Sequence, residues 1–143
     1  MSDTTGRVTL GVGIISCSGE EFPEGTIARL ATLRVLGSMR PDVTATLCLP
    51  LFLAGEGGER NFAAAHPVIT VDGCDKLCAK WSTEQYSGPV ARSLVVSEIL
   101  GPGRCDCPRS TRSLGARDEE AVRVVSERIA SAVDDVLEEQ GSE

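Results

Sequence analysis

Six cysteines stand at positions 17, 48, 74, 78, 105 and 107 of a 143-residue chain that carries a single histidine, His66. Thiolates are soft ligands that select zinc, Cu(I) and iron–sulfur clusters, and they are also the nucleophiles of disulfide exchange. Cys74 and Cys78 are four residues apart, the spacing at which two side chains share one face of a helix. Cys105-Asp106-Cys107 sets two more thiols in an extended loop, from which they can ligate one metal or two neighbouring ones. The set admits metal or cluster binding, thiol redox chemistry, or inert burial, since free cysteine is often a small core hydrophobe. Structural disulfides belong to small secreted domains, and nothing in the chain says secreted.

The elements that must position these thiols follow from the apolar pattern. Arg7 to Ser16 is rich in β-branched residues with little polar alternation, the pattern of a strand buried on both faces. Glu21 to Gly37 reads as a helix, with Pro23 and Glu24 in its first turn and Gly37 as its stop. Thr44 to Leu49 and Val68 to Val71 read as the second and third strands. A glycine-rich turn at Gly55 to Gly58 and a short helical piece around Asn61 to Ala65 lie between them. Cys74 to Trp81 reads as the start of another helix, a fourth strand centres on Ser93 to Ser97, and Gly101 to Gly115 is loop. Asp118 to Glu139 is the clearest element, because Val122, Val125, Ile129, Val133 and Val136 form a helical stripe.

Four alternations of strand and helix imply parallel strands joined by right-handed crossovers. The expectation is a single α/β domain spanning residues 1–143, a three-layer sandwich around a small parallel sheet of about four strands, Rossmann- or flavodoxin-like in style. In such a sheet all carboxyl ends lie along one edge, where ligands bind. Cys17 follows strand one, Cys48 ends strand two, Cys74 and Cys78 follow strand three, and Cys105 and Cys107 follow strand four. All six thiols are therefore expected to converge at that edge.

The segment around the third strand end carries a resemblance. Val71-Asp72-Gly73-Cys74-Asp75-Lys76-Leu77-Cys78-Ala79-Lys80 resembles the signature of the zinc-binding family named for its Asp-Gly-Cys (DGC) motif. The likeness extends to Cys17-Ser18-Gly19 and to Cys48-Leu49 followed by Ala54 to Gly58, and covers roughly residues 8 to 100. It implies four cysteine ligands for a metal, which map onto Cys17, Cys48, Cys74 and Cys78, with zinc as the ion. The Cys105/Cys107 pair is additional to the four, and the stretch between Cys48 and the glycine turn is longer than that pattern leads one to expect.

The remaining features narrow the function. A net charge of −7 and only five aromatics exclude a nucleic-acid surface, which needs a basic stripe and stacking rings. The longest apolar run, Leu47 to Ala54, is too short to span a bilayer and contains Pro50. Val8 to Ile15 before Ser16-Cys17 lacks the positive flank of a lipoprotein signal. No GxGxxG follows the first strand. Gly55 to Gly58, with Arg60 beside it, reads as a flexible turn rather than a phosphate cradle, His66 as a surface residue away from the thiols, Asp72 as a turn-former, and Trp81 as a shield over the site.

The expectation is thus a cytoplasmic metal-binding protein. Cys17, Cys74 and Cys78 are its core ligands, Cys48 is the fourth, and Cys105 and Cys107 extend the set. Its metal is zinc, with an iron–sulfur cluster as the alternative, and its role would lie in metal handling, in sensing, or as an accessory to a redox enzyme. An aliphatic core of this size does not need a structural zinc. The competing reading is a thiol oxidoreductase or sulfur carrier in which Cys74 attacks and Cys78 resolves. No catalytic residue is assigned, and no partner beyond the metal ion.

Overall fold

Short β-branched runs form the strands: β1 (Val12–Ser16), β2 (Thr44–Thr46), β3 (Val68–Asp72) and β4 (Arg92–Val95). In the computed structural model, which describes residues 11–17, 22–101 and 116–141, they pair in one all-parallel sheet of order β2-β1-β3-β4. The helices are α1 (Pro23–Arg34), α2 (Leu49–Leu53), α3 (Gly57–Ala65), α4 (Cys78–Tyr86), α5 (Val96–Leu100) and α6 (Ala116–Gly141). Every residue of β3 is buried, as is β1 up to Ile15, which accounts for the unbroken apolar character of these two central strands.

Alternation along the strands divides the core into two layers. Val12, Ile14, Ile69 and Val71 pack with Ile27 and Ala31 of α1 and with Val125, Ile129 and Val133 of α6. Ile15 and Val68 belong to a second cluster, with Phe52 of α2, Ala63 of α3 and Ala79 of α4. The chain passes from β1 to β2 in one direction across the sheet and from β2 to β3 in the other. Right-handed crossovers then require the connecting helices to lie on opposite faces, as α1 and α3 do. The result is a three-layer α/β sandwich with the flavodoxin-like strand order, whose direction switches between β1 and β3.

The stripe on the last helix is buried as its spacing predicts: Val122, Val125, Ile129, Val133 and Val136 all lie in the core. Other boundaries differ from the sequence reading. Gly37 does not stop α1, because a π-helical turn over Val35–Met39 continues it. The Arg40 guanidinium then bridges both carboxylate oxygens of Asp134 on α6, at 2.7 Å each. The second strand ends at Thr46, and Leu49–Leu53 turns into a helix instead of extending it. The fourth strand gives way to α5 at Val96. Cys105, Cys107 and the loop around them lie outside the described residues. Among the described residues, no helix is long and apolar enough to cross a membrane.

Candidate thiol site at the sheet switch point

β1 and β3 are hydrogen-bonded neighbours whose last paired residues are Ser16 and Val71. Cys17 continues the ladder, its N–H donating to the Val71 carbonyl at 3.0 Å. Just beyond lies Asp72-Gly73-Cys74, so the two chain segments leave the sheet side by side, at the crevice where flavodoxin-like sheets bind ligands.

Each residue of the Asp-Gly-Cys turn has a separate physical task. Asp72 is almost wholly buried, at 1 % exposure. Its Oδ1 accepts the Ala79 N–H at 2.7 Å and its Oδ2 the Lys80 N–H at 3.2 Å. These are free amides of the first turn of α4, so a carboxylate on the strand serves as the helix's N-terminal cap. Gly73 sits against the start of α1. A Cβ there would stand 2.8 Å from Gly25 N and 2.9 Å from the Glu24 carbonyl carbon, and backbone cannot yield as a flexible side chain can. The turn requires glycine here for close approach, and its left-handed residue is Leu77, at φ 58° and ψ 45°. The Gly73 N–H donates to Cys17 Sγ at 3.3 Å, and its carbonyl accepts the Ser97 N–H at 3.2 Å.

Cys74 is half-buried within the turn, whose carbonyl at Cys74 accepts the Leu77 N–H at 3.3 Å. The helix begins at Cys78, not at Cys74, so the two cysteines do not share a helix face. Cys78 is the first residue of α4 and is exposed. Cys17 is buried, at 8 % exposure. Burial pushes its thiol above the ordinary value and the Gly73 N–H draws it back, while the negative charges of Asp72, Cys78 and Cys74 push it further up. Burial likewise raises the Asp72 carboxyl, against the two amides that favour its charged form. Cys17, Cys74, Cys78 and Asp72 thus share one electrostatic neighbourhood.

Cys48 precedes α2, is exposed, and its N–H donates to Glu59 Oε2 at 3.5 Å. All four described cysteines are free thiols. As they stand, no three of the Cys, His, Asp and Glu side chains among the described residues form a group able to hold a metal ion. The donor type of Cys17, Cys74 and Cys78 suits a soft cation.

The other singled-out residues have other tasks. Trp81 is 55 % exposed, with Lys80 Nζ 4.9 Å from its ring centroid, so it does not shield the thiols. His66 stacks on Phe62, with centroids 4.0 Å apart, just before β3 and so at its amino end. Arg60 lies over the rings of both Phe52 and Tyr86. Its Nε donates to the Phe52 carbonyl at 2.6 Å, which leaves it fastening α2 rather than holding an anion. The capping reach of Asp72 into α4 went unread in the sequence. Its only signal was an acidic residue closing a buried strand just before a helix with no capping side chain at Leu77.

The family model described as DGC domain matches residues 13–127 of the chain. No curated protein and no solved structure matches it significantly.

Proposed function

The chain belongs to the DGC-domain family, and from that premise we propose that it is a cytoplasmic protein that binds a soft metal ion, zinc first, through thiolates at the carboxyl edge of its sheet. Cys17, Cys74 and Cys78 are the core of the ligand set, with Cys48, Cys105 and Cys107 as the residues that complete or extend it. The observation that carries this reading is the Gly73 N–H donating to Cys17 Sγ at 3.3 Å, which sets the Cys17 thiol against the turn that carries Cys74. Thiolates brought together repel one another, and a bound divalent cation is the species that reverses the sign of that interaction. A reducing cytoplasm keeps such thiols free to ligate.

Thiol redox catalysis finds less support in the same geometry. An attacking cysteine needs its thiolate favoured, yet Cys74, the attacker in that reading, stands in the turn before the helix and not on its first free amides. The free amides of α4 that could favour a thiolate at Cys78 are taken by the Asp72 carboxylate. Metal handling or sensing is the use that fits a site whose Cys78 is open to solvent.

Elemental analysis of anaerobically purified, zinc-supplemented protein tests the reading. About one ion per chain is expected, lost on Cys17→Ser or Cys74→Ser. Fewer than about a tenth of an ion per chain would overturn it. A brown chromophore with visible absorption would replace zinc by an iron–sulfur cluster.

A further inference from the structure

We propose that the turn between Gly73 and Cys78 is a two-state element. In its resting form Leu77 sets the turn off from α4. In its second form α4 runs back to the end of β3 and carries Cys74 and Cys78 on one face. The inference concerns the thiol edge already described and rests on no bound ion. Its starting point is Leu77, which among the described residues is the one non-glycine residue at positive φ. An L side chain opposes that conformation, and such strain persists only where its surroundings impose it. Here the Asp72 oxygens impose it, because they hold the amides of Ala79 and Lys80 and so fix the start of α4 at Cys78.

The rest of the segment is compatible with a helix. The Leu77 N–H already closes one turn onto the Cys74 carbonyl, at 3.3 Å. Asp72 is the last residue of β3, and extended backbone is what an N-cap residue needs. Cys74 and Asp75 follow it at the two positions whose amides an N-cap carboxylate accepts. One carboxylate can thus cap either helix start. Rotation of Leu77 into the right-handed region releases its strain and offers the amides of Cys78, Ala79 and Lys80 the carbonyls of Cys74, Asp75 and Lys76. Asp72 then exchanges its pair of amides for the nearer pair. Gly73 keeps its anchors throughout. Its N–H would be the first of the longer helix, which has no helical acceptor, so it can stay on Cys17 Sγ. Its carbonyl has two lone pairs and can hold the Leu77 N–H beside that of Ser97. In the resting form Cys74 is half-buried, Cys78 is exposed, and they act as separate thiols. In the second form they are four residues apart on one helix face, a pair for any ligand with two thiol-seeking centres.

The test bridges the two thiols with dibromobimane in the reduced, metal-free full chain, so its outcome is separate from that of metal uptake. Each Sγ displaces one bromide and forms one C–S bond, with two HBr released per bridge. Trypsin cuts after Lys76, so a Cys74–Cys78 bridge joins two peptides that mass spectrometry identifies. Leu77→Gly removes the cost of the resting form and adds one to the helix, and should slow bridging by about tenfold or more. Leu77→Ile should speed it, because a β-branched side chain tolerates positive φ still less. Labelling of each thiol by monobromobimane controls for simple reactivity. Equal bridging rates in the three proteins overturn the proposal, as do differences that monobromobimane reproduces, or a wild-type chain that bridges Cys74 only to Cys17. Leu77 belongs to neither core cluster, so both variants should fold. If one does not, amide relaxation dispersion of the wild-type chain decides: microsecond-to-millisecond exchange over Cys74 to Cys78 supports the two states, and its absence refutes them.

Discussion

At the scale of single residues, Gly73 shows how a motif can follow from contact rather than from backbone freedom. The atoms its Cβ would meet are Gly25 N, the Glu24 carbonyl carbon and Gly25 Cα, all at 3.0 Å or less. Gly73→Ala must therefore push the start of α1 away from the turn. We expect a loss of about 1–3 kcal/mol, the usual cost of overpacking, measured by urea unfolding. Wild-type stability would mean that turn and helix separate freely. Cys17 carries a second prediction, in pH. Its folded thiol holds its proton above 9.0, the value at which an ordinary thiol is half ionised. The stability this gives is present in full below the unfolded value and is lost as pH rises through the folded one. In metal-free protein, Cys17→Ser should thus flatten the fall of melting temperature as pH rises above 9.0, because a hydroxyl stays neutral there. Equal slopes in the two proteins would show that the buried thiol has no part in alkaline unfolding.

Among the elements, the turn from β3 to α4 is where strain can be measured. Leu77 adopts a left-handed conformation that costs an L side chain about 1–2 kcal/mol. Truncation to alanine removes the side chain but keeps that cost, whereas truncation to glycine removes both. Leu77→Gly should be the more stable of the two by about 1 kcal/mol, the reverse of their order inside a helix. The measurement is the difference in urea midpoint at constant slope. The same turn marks the limit of what could be read from the chain. The α6 stripe and the buried character of β1 and β3 were legible because periodicity and β-branching are local signals. The placement of Cys17 beside the Asp-Gly-Cys turn followed from strand alternation alone. The start of α4 was not legible, since it is set by a carboxylate reaching Ala79 and Lys80 from before the turn. Nor was α2, because a five-residue apolar run has no readable period. Its helical form depends on burial of Phe52 and on Arg60 reaching back from α3 to the Phe52 carbonyl.

For the molecule as a whole, the two layers of core decide what a metal at the sheet edge can contribute. On one face the strands meet α1 and α6, and on the other they meet α2, α3 and α4. Among the described residues, Cys17 is the one candidate ligand in either cluster, so nearly all the apolar burial described there is independent of the thiols. This differs from small zinc domains, in which binding free energy is folding free energy. Removal of the metal by a chelator should leave the far-ultraviolet circular dichroism and a single cooperative unfolding transition in place. The only stability lost should be the linkage term, about 2.7 kcal/mol at a free metal concentration of one hundred times Kd. The loss should shrink with the logarithm of metal concentration and vanish in Cys74→Ser, which keeps the core and discards a ligand. Collapse of helicity on chelation would instead make the thiol edge a structural staple, and would remove the reason for assigning it a task in metal handling.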